Sequence, residues 1–264
     1  MADASFEEWK TYDDFAHGID TYRRPNISLA GTTLAISFGR ASHLELKFLD
    51  DNTVEWNAQG EISVKTGTTD PYDAVSVRSD ATFINLPLTS IEGEALTIAH
   101  SARTGRVIIA QSVIAPEKVE GTPQVQQHFW AGTVDGATVI GTEPAESRDL
   151  IGMRNVYRYS PSHLYEHVYI STQRYAWQCL EGVQRGHGDM DLSTVWKLDD
   201  GLYLFCFREF RISVASVWLH DLGYGLNTTG MFLGISAAGE SMHSRAGGHI
   251  YPLGTARYPD VQPV

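Results

Sequence analysis

The stretch Gly152-Met-Arg-Asn-Val-Tyr-Arg-Tyr159, the turn Ser160-Pro-Ser162, and then His163-Leu-Tyr-Glu-His-Val-Tyr169 decide the reading of this chain. Two alternating runs flank a Ser-Pro-Ser turn, the pattern of a hairpin with one face on a core. A third run, Tyr175-Ala-Trp-Gln-Cys179, follows another short turn. About 120 residues upstream the same features occur in the same order. Gly31-Thr-Thr-Leu-Ala-Ile-Ser-Phe38 matches the first run, and Ser42-His43-Leu44 matches Ser162-His163-Leu164. Trp56 with Gly60 matches Trp177 with Gly182, and Phe83 after an Asp-containing turn matches Tyr203. His100, ahead of Arg103-Thr-Gly105, matches His220, ahead of Asn227-Thr-Thr-Gly230. Matches in one order at a near-constant offset mark an internal duplication.

Outward from this repeat, the first half reads as short strands broken by Gly, Asn, Asp and Pro: Thr33–Phe38, Leu44–Leu49, Val54–Ala58, Val75–Val77, Phe83–Leu86, Ala95–His100 and Val107–Ile114. Short strands with regular turn signals favour barrels or sandwiches over βαβ units. The predicted fold is therefore all-β: two tandem antiparallel β-barrels, at residues 1–115 and 149–264. The Pro-, Gly- and Gln-rich residues 116–148 read as the linker, and the second barrel as the one with the ligand pocket. Phe6, Trp9, Tyr12 and Phe15 recur near helical spacing, with Ser5 and Glu8 as a capping box, which predicts a short helix over Phe6–Gly18 packed on the body or across a barrel end.

Composition narrows the function. The chain has 264 residues, 42% hydrophobic and 20% charged, enough to bury a core. A formal charge of −12 without a basic stripe argues against nucleic acid. No run approaches the roughly 18 apolar residues of a membrane span, and residues 1–10 lack the apolar core of a secretory signal. With Cys179 and Cys206 in strand-like runs, these features predict a cytoplasmic protein with buried free thiols. No CxxC, HExxH, DxDxDG, GxSxG or GxGxxG pattern occurs, so neither a metal nor a cofactor is expected. The expected partner is a small hydrophobic or aromatic molecule, and a homodimer is compatible with the sequence.

The two copies calibrate each other's faces. One face of the first reads Leu34, Ile36, Phe38, Leu46, Phe48, Val54, Trp56 and Ala58, all apolar and directed to a core. The matching second-half positions are Asn155, Tyr157, Tyr159, Glu166, Val168, Tyr175, Trp177 and Cys179. The first barrel is thus expected to be filled and the second to carry polar groups inside. In that register Glu166 is an inward carboxylate that needs a partner, with Arg208 supplying charge. The opposite face presents Tyr165, His167 and Tyr169, suited to an aromatic interface. A register one residue different exchanges Glu166 for Tyr165 and His167 as the pocket. His163 repeats His43 and reads as a turn residue or pocket neighbour, and Trp218 as a pocket lining. The loop Gly186-His-Gly-Asp-Met-Asp191 reads as solvated, with a pocket rim or a metal-binding loop as alternatives, and one of Arg208 and Glu209 must face inward.

The runs Tyr157–Tyr169, Trp177-Gln-Cys-Leu-Glu-Gly182, Asp200-Gly-Leu-Tyr-Leu-Phe-Cys-Phe-Arg-Glu209 and Thr228-Thr-Gly230, with Trp9-Lys-Thr-Tyr-Asp-Asp-Phe-Ala-His-Gly18, resemble the molybdenum cofactor biosynthesis protein F (MoaF-like) family. The likeness covers nearly the whole chain and is stronger in its second half. It implies two tandem lipocalin-like barrels and leaves the activity open, since fold does not dictate function. A weaker likeness, to phenolic acid decarboxylases, rests on the spacing of Tyr157 and Tyr159 with Glu166 and Arg208 as partners.

These readings lead to an expected cofactor-free lyase or isomerase, of decarboxylase, dehydratase or cyclase type, acting on a small aromatic or polyketide-like molecule in the second barrel. Tyr157 and Tyr159 would orient it, Glu166 would move the proton and Arg208 would stabilise developing negative charge. Tyr175, Trp177, His163, Tyr165, His167, Tyr169 and Trp218 would bind it. The alternatives are a lipocalin-like carrier without chemistry and an accessory protein whose partner contacts the Tyr165, His167, Tyr169 face.

Overall fold

A computed structural model of the chain describes residues 9–62 and 65–264. The regular elements of the described residues are almost wholly strands, with one short helix among them, α1 (Tyr12–Ala16). The first half contains β1 (Thr33–Phe38), β2 (Ser42–Phe48), β3 (Thr53–Gln59), β4 (Lys65–Pro71), β5 (Asp73–Arg78), β6 (Ala81–Leu88), β7 (Glu94–Ser101), β8 (Arg106–Ile114) and β9 (Val125–Val134). The second contains β10 (Ala145–Glu146), β11 (Met153–Ser160), β12 (His163–Tyr169), β13 (Arg174–Glu181), β14 (Gly188–Asp199), β15 (Leu202–Arg208), β16 (Val214–Asp221), β17 (Asn227–Ile235) and β18 (Ser241–Thr255). Among the described residues no helix is long and apolar enough to cross a membrane.

The all-β reading holds, and the two halves close differently. The second sheet runs β10-β14-β13-β12-β11-β18-β17-β16-β15, and β14 pairs with β15 to complete an eight-stranded barrel. The first runs β4-β3-β2-β1-β9-β8-β7-β6-β5 as a curled sheet, with β4 and β5 left as its edges. Residues 125–134, read from sequence as part of the linker, form β9, antiparallel to both β1 and β8. Scattered Gly and Pro on either side masked a ten-residue strand.

Three apolar clusters hold the molecule. The curled sheet is filled by Ile36, Leu44, Leu46, Trp56, Ile84 and Ile98, among others. The closed barrel is filled mainly by aromatic rings. Between the halves, Val75, Phe83, Ala99 and Ile108 pack on Leu204, Cys206, Val217 and Met231. Both cysteines are buried and free. Asp199 joins the halves as well, paired with Arg103 and, at 3.5 Å, with Arg78.

The helix is shorter than expected. Asp14 accepts hydrogen bonds from the Thr11 backbone N (2.8 Å) and hydroxyl (2.9 Å), so the cap is Thr11 with Asp14. The predicted cap at Ser5 and Glu8, like Phe6, lies outside the described residues. Instead of covering its own half, α1 lies across the mouth of the second barrel. Tyr12 donates to the Phe232 carbonyl (3.2 Å), and the Phe15 ring meets Phe232 edge-on at 5.4 Å. The chain then crosses to the first half, where Arg23 pairs with Asp73 and the Ile27 backbone N donates to Ala74 O.

Candidate functional site

The hairpin register settles which residues face the barrel interior. Tyr157 on β11 lies opposite Tyr165 on β12, Asn155 opposite His167, and Val156 opposite Glu166. Tyr157, Tyr165, His167 and Tyr169 therefore point inward and Glu166 outward. This corrects the expectation of an inward Glu166, and with it the partner surface expected on Tyr165, His167 and Tyr169. Glu166 is hydrogen-bonded by Arg154 and Gln178 on the outer face, and Arg154 holds its carboxyl below the usual range.

The physical reason lies in the repeat. Trp56 Nε1 donates to Asp70 at 2.9 Å, and Trp177 Nε1 to Asp191 at 2.9 Å. Both pairs sit at an offset of 121 residues, and the inner-face partners Leu34 and Leu46 shift by the same 121 to Asn155 and His167. The tripeptide match Ser42-His43-Leu44 with Ser162-His163-Leu164 has an offset of 120 and is coincidental. A one-residue error exchanges the two faces of a strand. His163 corresponds to Ser42 rather than His43. Its Nδ1 is 2.7 Å from the Ser160 hydroxyl and its Nε2 3.1 Å from the Phe15 carbonyl, so it anchors α1 instead of lining the pocket.

Arg208 also moves. It faces the first half, donating to Gln127 Oε1 (3.1 Å) and Thr194 Oγ1 (2.9 Å). By alternation its neighbour Glu209 enters the barrel, 6% exposed, on the wall of a small cavity. Tyr159, Tyr165, His167, Tyr175, Trp177 and Trp218, all expected at the pocket, share that wall. Phe207 and Phe232 were not anticipated, nor were Phe15 and Ile19, which close the mouth. The enclosed space is about 30 Å³, room for one or two waters.

Tyr157 and Tyr169 lie off this wall, in a buried network. Their hydroxyls are 2.6 Å apart, Tyr169 OH is 3.3 Å from His220 Nε2, and His220 Nδ1 is 2.7 Å from the Thr228 hydroxyl. Trp218 stacks on Tyr159 at 5.0 Å between centroids. A Cβ at Gly230 would come within 2.5 Å of the Trp218 ring, which accounts for the glycine in Thr228-Thr-Gly230. At the rim, Trp9 stacks on His187 at 5.1 Å, and Arg211, bonded to Asp189, sits 4.5 Å over the Trp9 ring. Of the stretch read as a loop, Gly188–Asp191 opens β14 and pairs with β13, while His187 stacks on Trp9.

The inner groups are held neutral. Burial, reinforced by Asp191 and Asp189, pushes the Glu209 carboxyl well above the usual carboxylate range. Among the described residues nothing hydrogen-bonds that carboxyl. Burial raises Asp191 to about 6, despite its bonds from Trp177 and the Phe210 backbone N. Burial lowers His167 to about 3, and its Nδ1 is buried without a partner. The first half shows the contrast. Burial raises Asp70 too, but four donors, from Trp56, Thr89 and Ser90, outweigh it and hold Asp70 low. The residue 121 positions before Glu209 is Leu88, an ordinary core residue.

With the barrel and its plug described, two family models cover most of the chain: MoaF N-terminal domain over residues 7–116 and MoaF C-terminal domain over residues 144–256. The chain belongs to the MoaF family. Protein MoaF from Klebsiella aerogenes is 29% identical over 222 residues, 78% of each chain. The crystal structure of a putative beta-lactamase from Burkholderia vietnamiensis aligns over 41% of this chain and 100% of its own, at 14% identity and a TM-score of 0.35, a likeness too slight to bear on activity. Within the MoaF assignment, α1 falls in the N-terminal segment although it closes the C-terminal barrel, and β9 falls between the two matched segments.

Proposed function

We propose that the closed barrel is a cofactor-independent small-molecule site, with Glu209 and His167 as its acid/base pair. The observation that carries this reading is a buried imidazole nitrogen without a partner on the wall of one aromatic cavity, with the Glu209 carboxyl on the same wall. A buried polar group left bare costs about 1–3 kcal/mol, and here the imidazole and the carboxyl face one cavity. Glu209 enters as a neutral acid, able to donate; His167 is a neutral base, able to accept. Transfer in and out of one bound molecule leaves the apolar interior without net charge, the requirement of an isomerase or dehydratase in a dry site. Tyr159 and Tyr175 supply hydroxyls for orientation. In the cofactor-free lyase or isomerase reading, these two groups replace Glu166 and Arg208.

A second reading, a carrier without turnover, is favoured by the small enclosed space and by the weakness of an imidazole pushed down to about 3 as a base at neutral pH. Both readings require binding inside the barrel. Mass spectrometry of the purified protein under native conditions, then after denaturation, should reveal a small molecule released from the wild type. Trp218→Ala with Tyr159→Ala should lose it. Retention by that double variant would place the ligand elsewhere and sink both readings. Turnover of the released molecule by the wild type, absent in Glu209→Gln, separates enzyme from carrier.

A further inference from the structure

The wall of the barrel cavity contains eight aromatic side chains from Tyr, Trp and Phe, one imidazole and one carboxyl, but no Lys or Arg. The nearest cations are engaged elsewhere: Arg211 with Asp189 and the Trp9 ring, Arg174 against the Phe210 ring at 5.0 Å. Behind Glu209 stand two further carboxyls, Asp191 and Asp189. An anionic ligand would be buried here with no counter-ion, beside groups of its own sign, at a cost of several kcal/mol. A cation meets the opposite case: electron-rich ring faces on several sides and a carboxyl that lacks a partner.

We propose that the ligand of this barrel is a small organic cation, an aliphatic or aralkyl amine, boxed by Tyr159, Tyr175, Trp177 and Trp218 with Glu209 as its counter-ion. The inference rests on the small-molecule reading of the barrel in its carrier form and adds the charge class of the ligand; with an amine bound, Glu209 is ionised and is not the neutral acid of the lyase or isomerase reading. Glu209 ionises as the ammonium arrives, so one proton leaves for one cation that enters, and the charge inside the barrel does not change. The overall charge of −12 draws cations toward the molecule. Entry requires α1 to lift, and an amine larger than the roughly 30 Å³ now free takes the space that the Phe15 and Ile19 side chains fill on the cavity wall.

Three probes of one shape and different charge test this: benzylamine, benzyl alcohol and benzoate, titrated into the wild-type protein by calorimetry in two buffers of different ionisation enthalpy. Trp177 and Trp218 emission reports occupancy of the cavity. Benzylamine should bind at least about tenfold tighter than the alcohol, release close to one proton, and outcompete benzoate entirely. Glu209→Gln, with its fold checked by near-ultraviolet circular dichroism, should bring the ratio of amine to alcohol close to one. If the alcohol or benzoate binds as tightly as the amine, the cation proposal is wrong and the pocket stands. If none of the three changes the emission at millimolar concentration, the pocket reading falls with it.

Discussion

At the scale of the residue, the barrel trades stability for a site. Glu209 is buried without a partner where the first half has Leu88. Glu209→Leu should therefore raise stability at neutral pH by ~1–3 kcal/mol in urea unfolding, while removing ligand binding. No gain would mean that the carboxyl is satisfied in the free protein. His167 makes stability depend on pH in a set direction. Its folded value is near 3, against ~6.5 unfolded, so the unfolded chain binds the extra proton between those limits. Stability contributed by the neutral ring is complete above pH ~6.5 and is lost as pH falls toward 3. Between pH 7 and 5 the wild type should lose about 2 kcal/mol more than His167→Phe. Equal losses would show that the ring is not buried neutral. Gly230→Ala should cost ~1–3 kcal/mol, because the added methyl meets the Trp218 ring.

The element that governs access is α1. A five-residue helix is too short to hold itself in water. It is held by Tyr12, Phe15 and His163 below and by the Trp9 clamp between His187 and Arg211 at the rim. Trp9→Ala should loosen the plug; besides the clamp it removes one edge contact, at 6.0 Å, with the Trp177 ring of the wall. The expected readouts are faster amide exchange over Tyr12–Ala16 and a higher association rate for a benzylamine-like probe, with the melting of the sheets little changed. Unchanged exchange would place the hold on α1 in Tyr12, Phe15 and His163. The hairpin β11–β12 shows the other element-scale lesson. Alternation on β11 and β13 was read correctly from sequence, and β12 was not, because a tripeptide match displaced it by one residue. The conserved Trp-to-Asp spacing of the two halves, had it been used as the anchor, sets the offset at 121 and places His167 inside.

At the scale of the whole molecule, the contacts between the halves predict one cooperative body. The halves share an apolar cluster, the N-terminal segment bonds to both, and Asp199 reaches two arginines of the first half. Interfaces of this kind unfold together, unlike docked domains joined by a linker. Urea unfolding followed by tryptophan emission, which reports both halves, and by far-ultraviolet circular dichroism should give one coincident transition. Two separated transitions would show that the curled sheet stands alone.

The duplication, the all-β class, the family likeness and the aromatic wealth of the second half were legible in the order of residues, because hydrophobic alternation and turn chemistry are local. Six of the eleven expected site residues line the cavity: Tyr159, Tyr165, His167, Tyr175, Trp177 and Trp218. What the tertiary structure alone decided was the asymmetry in its final form. Only the second sheet closes, because β14 finds β15. Glu166 turns out and Glu209 turns in, since a strand's facing is set by its neighbours' register and not by its own composition. The helix that belongs by sequence to the first half closes the second, a placement that depends on which barrel mouth offers Phe232 and His163.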